Sequence, residues 1–288
     1  MPSQQKRASV CLILIHNNVA QRFNYIRPAL EQLCDELSQN YTTTIIEPSF
    51  RPEIVPHSTR MTLQRDAMYM CLGREWSQYR LLKVRPHLLD VLIFLKNSYE
   101  KYVSRKGRSG LVGRKRNSFR EMVLTENHIE GWNAFLAGDA DFMICFEDDA
   151  VFKDDSSQRL HQLLDNLSRK SPDSLIYVDL AGGCEHDALN INNLETGKDS
   201  SFRFYSKPVT NTACSYLVSR PLANFFIEMV TKKPRLRLIG ADWLMNKLFI
   251  LAADKGVKCT CMHASPTIFK HGSLTGEYTS LLSPDRQG

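Results

Sequence analysis

No stretch of this sequence approaches the roughly 20 apolar residues that a bilayer-spanning helix needs. None carries the dense cysteine spacing of a small secreted disulfide scaffold either. The eight cysteines are scattered, several inside apolar runs, and read as reduced thiols. Ser9 to Ile15 is short for the apolar part of a signal peptide and passes into His16-Asn17-Asn18 without a small-residue cleavage pattern. Internal repeats and low-complexity tracts are missing as well, which argues against fibrous and solenoid architectures. These absences lead to the expectation of a cytoplasmic protein with no transmembrane segment.

Acids are missing from one segment in particular. Lys101 to Arg120 holds eight of the 37 lysines and arginines and no aspartate or glutamate, which turns the chain's +6 into −2 elsewhere. The body is therefore nearly neutral, and the net charge gives no ground for expecting nucleic acid. Gly107, Gly110 and Gly113 lie among these cations, so a basic flexible loop is expected at about 104–118. Such a loop is either a lid or a solvated excursion, with an anionic acceptor or a peripheral membrane contact as its possible partners. At 288 residues and 43% hydrophobic, the chain can bury one large core, and a single domain over 1–288 is the expected organisation.

Apolar patterning gives the fold class. Val10 to Ile15 is a continuous apolar run of strand length, as in a strand covered on both faces. Gln21 to Leu37 then carries Phe23, Ile26, Leu30, Leu33, Cys34 and Leu37 at helical spacing, and Thr42 to Ile46 reads as a second strand. This β-α-β opening predicts an α/β fold with a Rossmann-like mixed sheet flanked by helices. Trp76 to Val103 has helical character interrupted by Pro86. Met122 to Leu136 reads as a helix, Phe142 to Phe146 as a buried strand, and Ser156 to Ser168 as a polar helix. Strands are expected at Leu175 to Leu180, Phe202 to Tyr205, Ala213 to Val218 and Lys258 to His263, with helices at Pro221 to Val230 and Ala241 to Ala253.

Three consecutive acids, Glu147-Asp148-Asp149, follow the strand Phe142 to Phe146. In α/β sheets ligands gather beyond the carboxyl ends of strands, so these acids stand where a ligand is expected. Adjacent carboxylates repel, and a divalent cation relieves that repulsion; hard oxygen ligands suit Mg²⁺ or Mn²⁺, which also bridge the phosphates of a nucleotide diphosphate. The competing reading is a solvated acidic turn leading into the next helix.

Phe142-Met143-Ile144-Cys145-Phe146-Glu147-Asp148-Asp149-Ala150 resembles the Leu-Ile-Leu-Glu-Asp-Asp-Val segment of the family 25 glycosyltransferases, which include lipopolysaccharide-type galactosyltransferases. One helix earlier, Glu121, His128 and Trp132 match positions of that family's Gly-Glu-Ile-Gly-Cys-X-X-Ser-His-X-X-X-Trp stretch, while Arg120, Val123 and Asn127 replace its glycines and serine. Downstream, Ser215 to Ala223 resembles Ala-Tyr-Val-Ile-Ser-Arg-X-X-Ala. Asp242-Trp243 resembles an Asp-Trp before a helix, and Pro266 to Ser273 resembles the family's closing proline, histidine and serine. These landmarks fall in the family's order over roughly residues 119 to 275.

The resemblance implies a GT-A fold and metal-dependent, inverting transfer of a hexose, galactose or glucose, from a UDP-sugar. The acceptor is then a hydroxyl on a glycan, lipid-linked or protein-linked molecule. Carried over residue by residue, it makes Asp149, Glu147 and His271 the metal-binding candidates, and Glu147, Asp148, His128, Ser219 and Arg220 the donor-binding candidates, with Asp148 alternatively facing away or supporting the loop. Asp242 is the candidate base, weighed against a helix N-cap. Glu121 is a second catalytic candidate, weighed against an exposed first-turn carboxylate. His128 falls seven residues after Glu121, about two helical turns, so the two can share a face.

Cys259, Cys261 and His263 alternate and would share one strand face, but without a second cysteine pair they read as core and not as zinc ligands. Two rival functions remain at this level. A metal-dependent phosphodiesterase or nuclease would also use clustered acids, and a non-enzymatic anion-binding module would depend on the basic loop alone.

Overall fold

A computed structural model describes residues 8–17, 19–48, 119–183, 194–195, 202–205, 210, 212–238 and 240–279. The helical segment expected between Trp76 and Val103 and the basic loop at 104–118 lie outside the described residues. The chain runs β1 (Ser9–Ile15), α1 (Ala20–Ser38), β2 (Thr42–Ile46), α2 (Phe119–Ala137), β3 (Phe142–Glu147), β4 (Ala150–Phe152), α3 (Ser156–Ser168) and β5 (Leu175–Asp179). It continues through β6 (Leu194–Glu195), β7 (Phe202–Tyr205), β8 (Ser215–Ser219), α4 (Arg220–Lys232), a 3₁₀ turn (Pro234–Leu238), α5 (Ala241–Asp254), β9 (Cys259–Ala264), β10 (Phe269–His271) and the short α6 (Gly272–Thr275).

Among the described residues eight strands form one mixed sheet in the order β2-β1-β3-β8-β5-β9-β7-β6, and β10 pairs with β4 in a separate two-stranded ribbon. The fold is thus α/β, with a Rossmann-like mixed sheet flanked by helices. β1 is parallel to both β2 and β3, while β8 runs antiparallel between β3 and β5. All seven residues of β1 are buried, as its unbroken apolar run requires when helices cover both faces.

Side chains leave a strand alternately to its two faces, and this alternation sorts the core into two halves. Val10, Leu12 and Leu14 join Ile144, Phe146 and the inward residues of α1 and α3 on one face. Cys11, Ile13, Ile15, Met143 and Cys145 join Trp132, Phe226 and Phe249, from α2, α4 and α5, on the other. The chain leaves β1 through α1 on the first face to reach β2, and it enters β3 from α2 on the second face. The strand order therefore reverses about β1, and the crevice between the carboxyl ends of β1 and β3 is a topological switch point, where open α/β sheets bind their ligands.

Candidate functional site

The acidic turn stands at that switch point. β1 and β3 are in register with Ile15 opposite Glu147, so the loop after β1 meets the acids directly. Asp148 turns toward this loop. It accepts the Asn17 backbone N–H at 2.9 Å on Oδ2 and an Arg22 N–H at 2.8 Å on Oδ1, with both side chains almost fully buried. Arg22 also donates to Ser273 Oγ at 3.3 Å and to the Thr279 carbonyl, and its guanidinium lies over the Tyr278 ring. Both carboxylate oxygens of Asp148 are thus taken by the protein itself. Asp148 supports the turn, the alternative considered beside donor binding, by anchoring it to α1 and to the segment after β10.

Asp149 turns the other way and meets β10. The β4–β10 ribbon sets His271 opposite Ala150, and the Gly272 N–H donates to the Asp149 carbonyl at 2.8 Å. A Cβ on Gly272 would come within 2.8 Å of that carbonyl oxygen and 2.6 Å of the Tyr278 ring, so only glycine allows this approach. Asp149 Oδ2 receives the Ser273 hydroxyl and lies 3.3 Å from His271 Nε2. Burial alone would raise the Asp149 pKa, but the hydrogen bond and charge of His271, together with Ser273 and Arg22, outweigh it and hold the carboxyl at about 2. Burial opposes protonation of His271, and Asp149 more than offsets it, so the imidazole pKa is raised.

The second oxygen, Asp149 Oδ1, is buried and receives no hydrogen bond from a described residue. Beside it lies the Cys214 thiol: ligand atoms of Asp149, Cys214 and His271 all fall within 4.8 Å of one another. Burial first, and then the charges of Asp149 and Glu147, push the thiol pKa well above its ordinary value. An unsatisfied buried carboxylate oxygen among nitrogen and sulfur donors fits a divalent cation. Sequence reasoning did not single out Cys214. Its position follows from pairing, since the Glu147 N–H donates to the Cys214 carbonyl at 2.8 Å, extending the antiparallel β3–β8 register by one residue.

Glu147 faces the α2 side of the sheet, as its strand parity with Cys145 requires. His128 Nε2 lies 3.1 Å from Glu147 Oε1, and His128 Nδ1 lies 2.9 Å from the Tyr216 hydroxyl, which accepts the Trp132 indole N–H at 3.0 Å. Burial holds the His128 pKa down at about 3 against the opposing charge of Asp242, so the ring is neutral. When Glu147 is ionised it accepts the Nε2 proton, which leaves Nδ1 to accept from Tyr216; Trp132, able only to donate, feeds Tyr216 in turn. Burial, and then the Asp149 charge, push the Glu147 carboxyl up to about 8, with His271 opposing. The turn therefore pairs a carboxyl that resists ionisation with one, two residues later, that is always ionised near neutrality.

Asp242 lies in the first turn of α5 behind Gly240, which is the N-cap, so the capping role considered for Asp242 is taken by its neighbour. It is half-buried, its Oδ1 accepts the Trp243 N–H at 2.8 Å, and its charge bears on both Glu147 and His128. Glu121 belongs to the first turn of α2, and its side chain lies outside the described residues.

Ser219 and Arg220 are not at this site, which corrects the donor-binding role expected of them. Because β8 is antiparallel to β3, Ser219 pairs with Phe142 at the opposite end of that strand, about 16 Å from Glu147 at the rise of a strand residue. Ser219 Oγ donates to the Ser174 carbonyl at 2.7 Å and accepts the Ile176 N–H. The Arg220 guanidinium donates to the carbonyls of Phe135, Leu136, Gly138 and Ala140, closing the end of α2. Cys259 and Cys261 pack in the core, as expected.

Comparison with models of known protein families finds none that matches this chain, and comparison with curated proteins finds no match either. Among the described residues no helix is long and apolar enough to cross a membrane.

Proposed function

We propose that this chain is a glycosyltransferase of GT-A type that transfers a hexose, galactose or glucose, from a UDP-sugar to a hydroxyl acceptor with inversion. The observation that carries the reading is the convergence of Asp149, His271 and Ser273 on one side of the acidic turn, and Glu147, His128 and Asp242 on the other, at the sheet's switch point. It is supported by the order of the sequence landmarks, since His128, Glu147, Asp242 and His271 come from four separate motifs that resemble one family.

Asp149 and His271 would hold a divalent cation, Mn²⁺ or Mg²⁺, which when bound neutralises the leaving diphosphate. Glu147, steered by His128, contacts the donor beside it. Asp242 takes the acceptor's hydroxyl proton as the new bond to the anomeric carbon forms on the face opposite the breaking bond to phosphate oxygen. The largely buried turn limits water near the reacting carbon, which suppresses hydrolysis of the donor. The acceptor is a glycan, lipid-linked or protein-linked hydroxyl, and the basic segment at 104–118 suits an anionic one.

A screen of nucleotide-sugars for thermal stabilisation, with Mn²⁺, Mg²⁺ or a chelator, tests this reading. One UDP-hexose should raise the melting temperature in the presence of cation and lose most of that effect with chelator. If no nucleotide-sugar stabilises the chain under any condition, the transferase reading is wrong.

A further inference from the structure

We infer that Cys214 is a third metal-binding side chain beside Asp149 and His271, and that the site takes a thiophilic divalent cation of the zinc type in preference to magnesium. The inference rests on the metal part of the reading above but not on sugar transfer. Four observations carry it. The three ligand atoms lie within 4.8 Å of one another, close enough for one ion to touch all three after small side-chain movements. Asp149 Oδ1, on a residue only 4% exposed, receives no N–H or O–H hydrogen bond among the described residues and has the Cys214 thiol beside it. Cys214 is fully buried yet stands next to the carboxylates of Asp149 and Glu147, with its thiol against Asp149. His271 keeps part of its surface exposed, which leaves a way in for the ion.

The donor set decides the metal. One carboxylate oxygen, one imidazole nitrogen and one sulfur form a mixed set that suits zinc-like ions, whereas Mg²⁺ demands hard oxygen ligands and retains several waters. Of the three clustered side chains only Asp149 offers an oxygen. Three protein ligands also leave a fourth position open, the arrangement of zinc sites that bind a substrate atom. As the sulfur–metal bond forms, the thiol proton passes to solvent, together with the imidazolium proton when His271 carries one, so binding releases protons.

The test uses the full chain and Co²⁺ as a spectroscopic probe, followed by competition with Zn²⁺ and Mg²⁺. One Co²⁺ per chain should produce a sulfur-to-cobalt charge-transfer absorption, which Zn²⁺ removes and a large excess of Mg²⁺ does not. Cys214→Ser should abolish that absorption and weaken zinc binding by roughly 100-fold or more, since losing even an outer partner of a metal costs about 10–100-fold. Cys34→Ser, at a half-buried thiol on α1, should leave both unchanged. X-ray absorption of the zinc-loaded wild type, which needs no variant, should find one sulfur bound to the metal. Absence of a metal–sulfur signal in the wild type, or its persistence in a folded Cys214→Ser protein, would overturn the inference. A sulfur-ligated metal in a chain that binds no nucleotide-sugar would uphold it while removing the transferase reading.

Discussion

His128 Nε2 lies 3.1 Å from Glu147 Oε1 while its Nδ1 lies 2.9 Å from the Tyr216 hydroxyl, so a single buried ring joins the acidic turn to the hydrophobic core. The ring cannot rotate without breaking both bonds, and Trp132 fixes the tyrosine from behind. Glu147 is thereby aimed by α2 and β8, two elements that the acidic motif does not contain.

Tyr216→Phe removes the hydroxyl shared by Trp132 and His128, which leaves the buried Trp132 indole N–H without its acceptor and His128 Nδ1 with only the Cys145 thiol, 3.7 Å away. Such groups cost about 1–3 kcal/mol, so urea unfolding should register a loss of that order, and donor turnover should fall further than the stability loss explains.

The pH dependence of stability follows from the two carboxyls and from His271 and His128. The Glu147 pKa is raised to about 8, so between its ordinary value of 4.5 and that value the folded state holds a proton that the unfolded state has lost. Stability must therefore fall as pH rises through this window. The raised His271 pKa acts in the same direction above the ordinary imidazole value of 6.5. Asp149, lowered to about 2, contributes fully above its ordinary 3.8 and is lost only in strong acid. His128, held down at about 3, works against Glu147 up to the ordinary imidazole value of 6.5, so chelator-treated protein should unfold at progressively lower denaturant from about pH 6.5 to about pH 8, and Glu147→Gln should flatten that slope.

Arg22→Met should destabilise the chain by about 3–5 kcal/mol, because it leaves the Asp148 carboxylate buried without its cation. The double variant Arg22→Met with Asp148→Asn should recover part of the loss, and thermal or urea unfolding of the three proteins measures it.

Arg220→Ala should lower the melting temperature while leaving donor affinity unchanged, since its guanidinium closes the end of α2 on four carbonyls far from the acidic turn. A weaker donor KM without loss of stability would return Arg220 to the site.

Periodicity was enough to read β1, α1, β2, β3, α3, α4 and α5 within a residue or two, and α2 except for its first turn, because each buries a regular apolar pattern. The ribbon of β4 and β10 left no such signal: its strands are three residues each and are held by Phe146, Phe152 and Phe269 packing on one another, which is a tertiary event. In the site, the end of β3 was legible because acids after an apolar run stand out. Arg22 and Cys214 were not, since an arginine in an amphipathic helix and a cysteine before a strand look ordinary until pairing brings them to Asp148 and Asp149. The misplacement of Ser219 and Arg220 came from strand direction. Their motif was carried over by resemblance, which says nothing of strand direction, and antiparallel pairing of β8 with β3 puts it at the opposite end from the acids.

Binding of UDP followed by titration calorimetry, with Mn²⁺, Zn²⁺ or chelator, on wild type and Asp149→Asn, bears most directly on the role given to the acidic turn. The account predicts cation-dependent binding in the wild type and its loss in Asp149→Asn, with both proteins folded. UDP binding that ignores the cation, or that survives in Asp149→Asn at full strength, would contradict it.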